Sequence, residues 1–280
     1  MPTESTLSTY VASDGDNIAV QDWPVEKDQT LRGVVLLVHG LGEHAGRYDH
    51  VAQRLNTWGF AVRGFDQHGH GESGGKRGAL PSDNRLLDDL ADIIDSTRKR
   101  LPPRCPLILL GHSMGGLVAG LFVARGVRPV DALVMSSPSL DPGLNPFQKL
   151  LLAVLPRLAP ELRVSNALDV SKISHDPQVV HAYKTDKLVH DRISARLAKF
   201  IADGGAETMA AAKHWKTPTL LMFAGQDKLV APAASRLFAA NAPKTVVTAQ
   251  CFEPLYHEIF NELNAEPVFD SLKAWLDARF

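Results

Sequence analysis

Cysteine is scarce: Cys105 and Cys251 are the only two in 280 residues. They cannot build a disulfide framework and have no metal-ligand spacing, so both are expected as buried free thiols bordering strands. No run of 18 apolar residues occurs, which leaves no candidate for a membrane-spanning helix. Basic blocks are absent as well. The short run Arg98-Lys99-Arg100 suits the last turn of a helix, where cations meet the negative end of the dipole. Formal net charge is -1 and the aromatics do not alternate with Lys or Arg, so nucleic acid is not an expected partner. Neither a phosphate loop nor a Gly-x-Gly-x-x-Gly after a first strand is found, so no nucleotide cofactor is implied. The N-terminal stretch is polar and lacks the apolar centre of a secretion signal, and the expected location is cytoplasmic.

What is present is ordinary for a folded domain, with 45% hydrophobic and 22% charged residues. A chain of this length buries about three quarters of its unfolded surface, so a core can form without disulfides or metal. Residues 5–25 read as two strands around the turn Asp14-Gly15. Gly33 to Val38 is almost wholly apolar, as a strand covered on both faces is. Further strands are expected at 61–65, 107–110, 132–135, 219–224 and 245–248. Helical spacing appears at 48–55, 86–99, 232–240 and 266–278. This alternation predicts an α/β architecture, a mostly parallel sheet with helices on both faces. It is interrupted from Pro138, through Pro142 and Pro146, to about Ala206 by a segment with an apolar helix at 147–155 and no strand signal. The expected organisation is a core of 1–138 and 207–280, with 139–206 as a helical cap over the strand ends.

The chain is organised around Leu107-Ile108-Leu109-Leu110-Gly111-His112-Ser113-Met114-Gly115-Gly116. An apolar strand ends in Gly-x-Ser-x-Gly and passes into a small-residue helix. In such a turn the serine is forced into a strained conformation and its hydroxyl projects at the sheet edge. A serine hydroxyl is a poor nucleophile at neutral pH, so it needs a base, and the base needs an orienting acid. Chemistry in parallel sheets collects at the carboxyl ends of strands. Asp227, one tight turn after the strand 219–224, and His257, in the loop after 245–248, supply these groups in the order serine, acid, histidine. Asp227 taken alone also suits a helix N-cap. Oxyanion donors are expected from the Met114 N–H and from the Leu41 N–H in the turn His39-Gly40-Leu41-Gly42.

Three histidine groups, His39/His44, His68/His70 and His175/His181, do not converge as metal ligands from rigid elements, so no metal is expected. His39 instead suits a backbone bond that steadies its loop.

With these residues in hand, the chain resembles the α/β-hydrolase superfamily, and within it the monoacylglycerol lipase and lysophospholipase family of serine aminopeptidase-like hydrolases. The resemblance rests on residues 39–48, Phe65-Asp66-Gln67-His68-Gly69-His70-Gly71-Glu72-Ser73, 111–116, 225–230 and 256–262. It implies a cofactor-free serine esterase that cleaves a single acyl chain from glycerol or a related head group. It also implies that Glu43 and Arg47 contact the leaving-group end. Leu41 stands where relatives commonly carry a small residue, which leaves the backbone donor intact and narrows the pocket. Lysophospholipase and general carboxylesterase remain open as alternatives. So does a catalytically silent fold that only binds a ligand, although no member of the triad is missing. The 147–155 helix suits either an acyl tunnel and transient contact with membranes or lipid droplets, or plain packing on the core. No obligate protein partner is implied.

Overall fold

The structure, a computed structural model, describes residues 4–141, 143 and 146–280, and of residues 146–149 the backbone path alone. Pro142 and the side chains of Pro146 and Phe147, singled out above, lie outside the described set. The first strands are β1 (Thr6–Val11) and β2 (Asn17–Trp23), joined through Asp14-Gly15 and paired antiparallel. Then β3 (Gly33–Val38), α1 (Asp49–Thr57), β4 (Phe60–Phe65), α2 (Arg85–Arg98), β5 (Leu107–His112), α3 (Met114–Ala124) and β6 (Ala132–Ser136) alternate as the periodicity predicts. After residue 206 the pattern resumes with β9 (Thr219–Ala224), α7 (Pro232–Asn241), β10 (Val247–Phe252) and α8 (Glu266–Asp277). The strand order is β1-β2-β4-β3-β5-β6-β9-β10, and every pairing from β4 to β10 is parallel.

Why the central strands read as unbroken apolar runs is visible in their two faces. Leu36, Val38, Leu107, Leu109, Leu133 and Met135 point into one cluster, which α2, α3 and α7 cover. Their neighbours Val35, Leu37, Ile108, Leu110 and Val134 point into the other, beneath α1 and α8. A side chain on either face is therefore buried, and alternation with polar residues would leave polar groups without water. The helix α3 is buried from Met114 through Phe122, so it too carries no polar face.

Between β6 and β9 run α4 (Pro146–Leu158), β7 (Arg163–Ser165), α5 (Pro177–Thr185), β8 (Arg192–Ser194) and α6 (Ala195–Ala211). Here the expectation of no strand is corrected: β7 and β8 pair antiparallel. Each spans three residues and β7 is fully exposed, so neither leaves an alternating pattern in the sequence. A second correction concerns β10, which begins at Val247 rather than 245 and continues to Phe252. Thr248, Ala249 and Gln250 are exposed on this edge strand, which hides it from a hydrophobicity reading. Third, Cys105 and Cys251 are half-buried rather than buried, one in a loop and the other on that edge. The helix α6 passes residue 206 without a break, and Leu197, Phe200 and Ile201 share the cluster that covers the sheet.

Candidate active site

The turns that follow β3, β5, β9 and β10 open at one edge of the sheet, where parallel strands present their carboxyl ends. After β5, Ser113 stands at φ 54° and ψ -119°, a conformation that costs a non-glycine residue about 1–3 kcal/mol. Its neighbours pin it: the Ser113 N–H donates to Ser136 O at 2.9 Å, and Ser113 O accepts from Ser139 N at 3.0 Å. Close approach explains the glycine two residues later. A Cβ on Gly115 would lie 2.1 Å from Val38 O, so no side chain fits between α3 and the end of β3.

After β9 the Asp227 carboxylate divides its oxygens. Oδ1 accepts from Leu229 N at 2.8 Å and Val230 N at 2.9 Å, while Oδ2 lies 2.6 Å from His257 Nδ1. The N-cap-like duty and the partnership with histidine are thus held by one side chain. Both partners are nearly sealed, with side-chain exposures of 3% and 6%. Burial raises the Asp227 carboxyl, but His257 and the two N–H donors outweigh it and hold it below its ordinary range. Burial likewise lowers the His257 ring. The Asp227 carboxylate, with Glu258 and Glu43 behind it, outweighs that and leaves the ring above its ordinary value. With Asp227 ionised, His257 Nδ1 is the donor to Oδ2, and in the neutral ring Nε2 is the nitrogen that can take up a proton.

Ser113, His257, Leu41 and Met114 all line one cavity of about 420 Å³. Among the described residues, neither the Leu41 nor the Met114 N–H has a hydrogen-bond acceptor. The cavity's far wall is apolar, with Leu151, Leu152 and Leu155 of α4, Ile201 of α6, and Leu229 and Val230. Its polar end holds Glu43, His112, Tyr183 and Glu258. No Lys or Arg lies among the described lining residues. His112 sits 4.7 Å from the His257 ring, and burial together with that neighbour pushes it down to about 4.

Glu43 is buried and engaged with protein, accepting from Gly40 N at 2.5 Å and Tyr48 OH at 2.6 Å and pairing with Arg47. Arg47 does not line the cavity; it pairs with Glu258 as well as Glu43. His39 Nδ1 lies 2.8 Å from Gly40 O, and its Nε2 accepts from Gln67 N at 2.9 Å, which steadies the loop as expected. The other histidine groups are occupied separately: His44 with Asp186, His68 with Asp16, and His175 with Glu262. Among the described residues no group of three or more His, Cys, Asp and Glu could hold a metal. The sequence reading passed over His112, Tyr183 and Glu258 as site residues. Two of them flank the proposed nucleophile and base, which was the available signal.

A family model described as Hydrolase_4, serine aminopeptidase, S33, matches residues 29–264. The chain belongs to this family. A monoacylglycerol lipase of Mycolicibacterium smegmatis is 35% identical over 96% of the chain and 95% of its own length. Phospholipase YtpA of Bacillus subtilis is 32% identical, over 91% and 98%. The crystal structure of Paleococcus ferrophilus monoacylglycerol lipase superposes with a TM-score of 0.83 at 33% identity, covering 98% of this chain and all of that one. This Hydrolase_4 chain therefore has the α/β-hydrolase fold that the sequence pattern implied.

Proposed function

We propose that this protein is a monoacylglycerol lipase working through an acyl-enzyme on Ser113. His257 Nε2 takes the Ser113 Oγ proton as the oxygen attacks the ester carbonyl, and Asp227 steadies the imidazolium. The Leu41 and Met114 N–H groups stabilise the oxyanion. On collapse the C–O bond to the alcohol breaks, and His257 returns the proton to the departing oxygen. Water, deprotonated by the same ring, then releases the fatty acid. The observation that carries the reading is that His257, paired with buried Asp227 at 2.6 Å, lines the same cavity as the elbow serine. Ser113→Ala should abolish hydrolysis of p-nitrophenyl butyrate while circular dichroism stays unchanged; full activity in that variant would sink the assignment.

Lysophospholipase is the second reading, favoured by the likeness to a phospholipase. The lining speaks for a neutral head group instead. A phosphodiester would meet two carboxylates there, and the nearby Arg47 cation is already taken by both. Like charges in a water-poor site repel strongly. Comparing monoacylglycerols of several chain lengths with lysophosphatidylcholine tests this; faster turnover of the phospholipid would reverse the assignment.

Residues 139–206 are read as the cap, with α6 shared between cap and core. Two faces of α4 support a dual use. Leu151, Leu152 and Leu155 line the cavity, while Leu150, Val154 and Leu158 are exposed at 62%, 44% and 78%. The outer face is assigned to transient contact with a lipid surface. The described residues include no helix long and apolar enough to cross a membrane.

A further inference from the structure

A chain of charge-assisted hydrogen bonds joins the two sides of the site. On one side the Gly40 N–H donates to Glu43 Oε1 at 2.5 Å, and Tyr48 OH donates to the same oxygen. Arg47 Nη1 bonds Glu43 Oε2 and also Glu258 Oε1, the latter at 2.8 Å; Nη2 completes the fork on Glu258 Oε2 at 2.8 Å. On the other side Asn261 Nδ2 donates to Glu258 Oε2 at 2.7 Å, and the Glu258 N–H donates to Ile173 O at 2.8 Å. The guanidinium is further covered by the Tyr183 ring, 4.6 Å away. Thus the peptide before Leu41 and the residue after His257 are tied through one buried cation.

We infer that Glu258 is a positioning residue that, through Arg47 and Glu43, holds the Gly40–Leu41 turn in register with the His257 loop. The inference rests on the proposed roles of His257 and the Leu41 N–H. A buried triad of charges is a poor source of stability, since apolar side chains of the same volume often serve as well. Its distinctive property is direction. A planar bidentate fork fixes two carboxylates relative to each other, and Glu43 in turn fixes where the Gly40 N–H points. The next N–H along the chain is that of Leu41. Burial first, then Arg47, dominate Glu43, and the pairing wins, leaving its carboxyl at about 2 and ionised at any working pH.

Glu258 also acts on the base through its charge. His257 faces Asp227 from the turn after β9, Glu43 with Arg47 from the turn after β3, His112 from β5, and Glu258 in its own loop. Removing the Glu258 charge takes away one anion that favours the protonated ring, so the ring should lose its proton at lower pH.

The test compares Glu258→Gln, Glu258→Asp, Glu43→Gln and the double Glu43→Gln/Glu258→Gln, each normalised to active sites titrated with a fluorophosphonate. Glu258→Gln should lower kcat about tenfold with KM within about twofold, less than the 10²–10³ of deleting an oxyanion donor. Its acid limb in kcat/KM should move to lower pH, and Glu258→Asp, which keeps the charge, should move that limb back. The double variant should lose little beyond the larger single loss, because both act through one chain. Wild-type kcat per titrated site with an unmoved limb in Glu258→Gln would overturn the inference, as would fully additive losses. A wild-type protein that the fluorophosphonate does not label at Ser113 would instead overturn the serine-hydrolase reading, and this inference with it.

Discussion

The sheet beneath Ser113 and the segment above it obey different constraints. Around the elbow, the backbone at the end of β3 approaches α3 so closely that a single methyl group has no room beside Gly115. Among the described residues between 139 and 194 the chain makes two three-residue strands, the helices α4 and α5 and connecting loops, and leaves Leu150 and Leu158 in contact with solvent. The first region positions reacting groups and tolerates no change of volume. The second shapes a cavity wall and faces outward, where a changed side chain meets water. On the proposed reading, chemistry is built on the closely packed part and substrate choice on the other, as expected when binding residues ride on loops over a fixed scaffold.

Breaking the rigid side should have the largest effects. Ser113→Ala should lower kcat by about 10⁶, close to the rate left by binding and oxyanion donors alone. Asp227→Asn should cost about 10⁴ in kcat by allowing the wrong His257 tautomer. Gly115→Ala should reduce stability by roughly 1–3 kcal/mol or prevent folding, read from denaturant midpoints. In pH profiles, kcat/KM should fall with acid through a pKa raised above the ordinary histidine value. The base must be neutral, and Asp227 holds the His257 ring's pKa up. His112, at about 4, stays neutral across that limb and adds no second step near it. The linked stability term has the opposite sense: the raised His257 value stabilises the fold at low pH and is lost as pH rises through it. On the outward side, Leu150→Ser with Leu158→Ser should change stability by about 0.5 kcal/mol or less. Hydrolysis of p-nitrophenyl butyrate should be unaltered while co-sedimentation with vesicles falls; equal sedimentation would remove the lipid-contact role.

Legibility in the sequence followed the same divide. Gly33–Val38 and Thr219–Ala224 were readable to the residue, because burial on both faces demands an unbroken apolar run. Asp227 and His257, expected in turns after parallel strands, do meet in the structure at 2.6 Å. The strand β10 was misplaced by two residues, since its exposed interior carries no apolar signal. The pair β7 and β8 was missed altogether, being held by three residues on each side rather than by a pattern. Glu43 and Arg47 were named for the leaving group, yet their partners are Gly40, Tyr48 and Glu258. That network joins residues about 200 positions apart, and no local spacing announces it.

Gly42 carries a consequence for redesign. Its φ is +80°, a Cβ there would sit 2.3 Å from His190 O, and the His190 N–H donates to Gly42 O at 2.9 Å. The stretch from Tyr183 to Ser194 is also bound through His44 to Asp186 and through Ser194 N to Gly78 O. Although it lies within the proposed insertion, this strap behaves as an extra rail of the Gly40–Gly42 turn. Exchange of upper segments between relatives therefore has a natural seam in the loop before α5, ahead of its N-cap Asp176. A chimera cut there retains the rail and acquires a new α4 wall to the cavity. One cut at 139 and 206 replaces the wall and loosens the turn together.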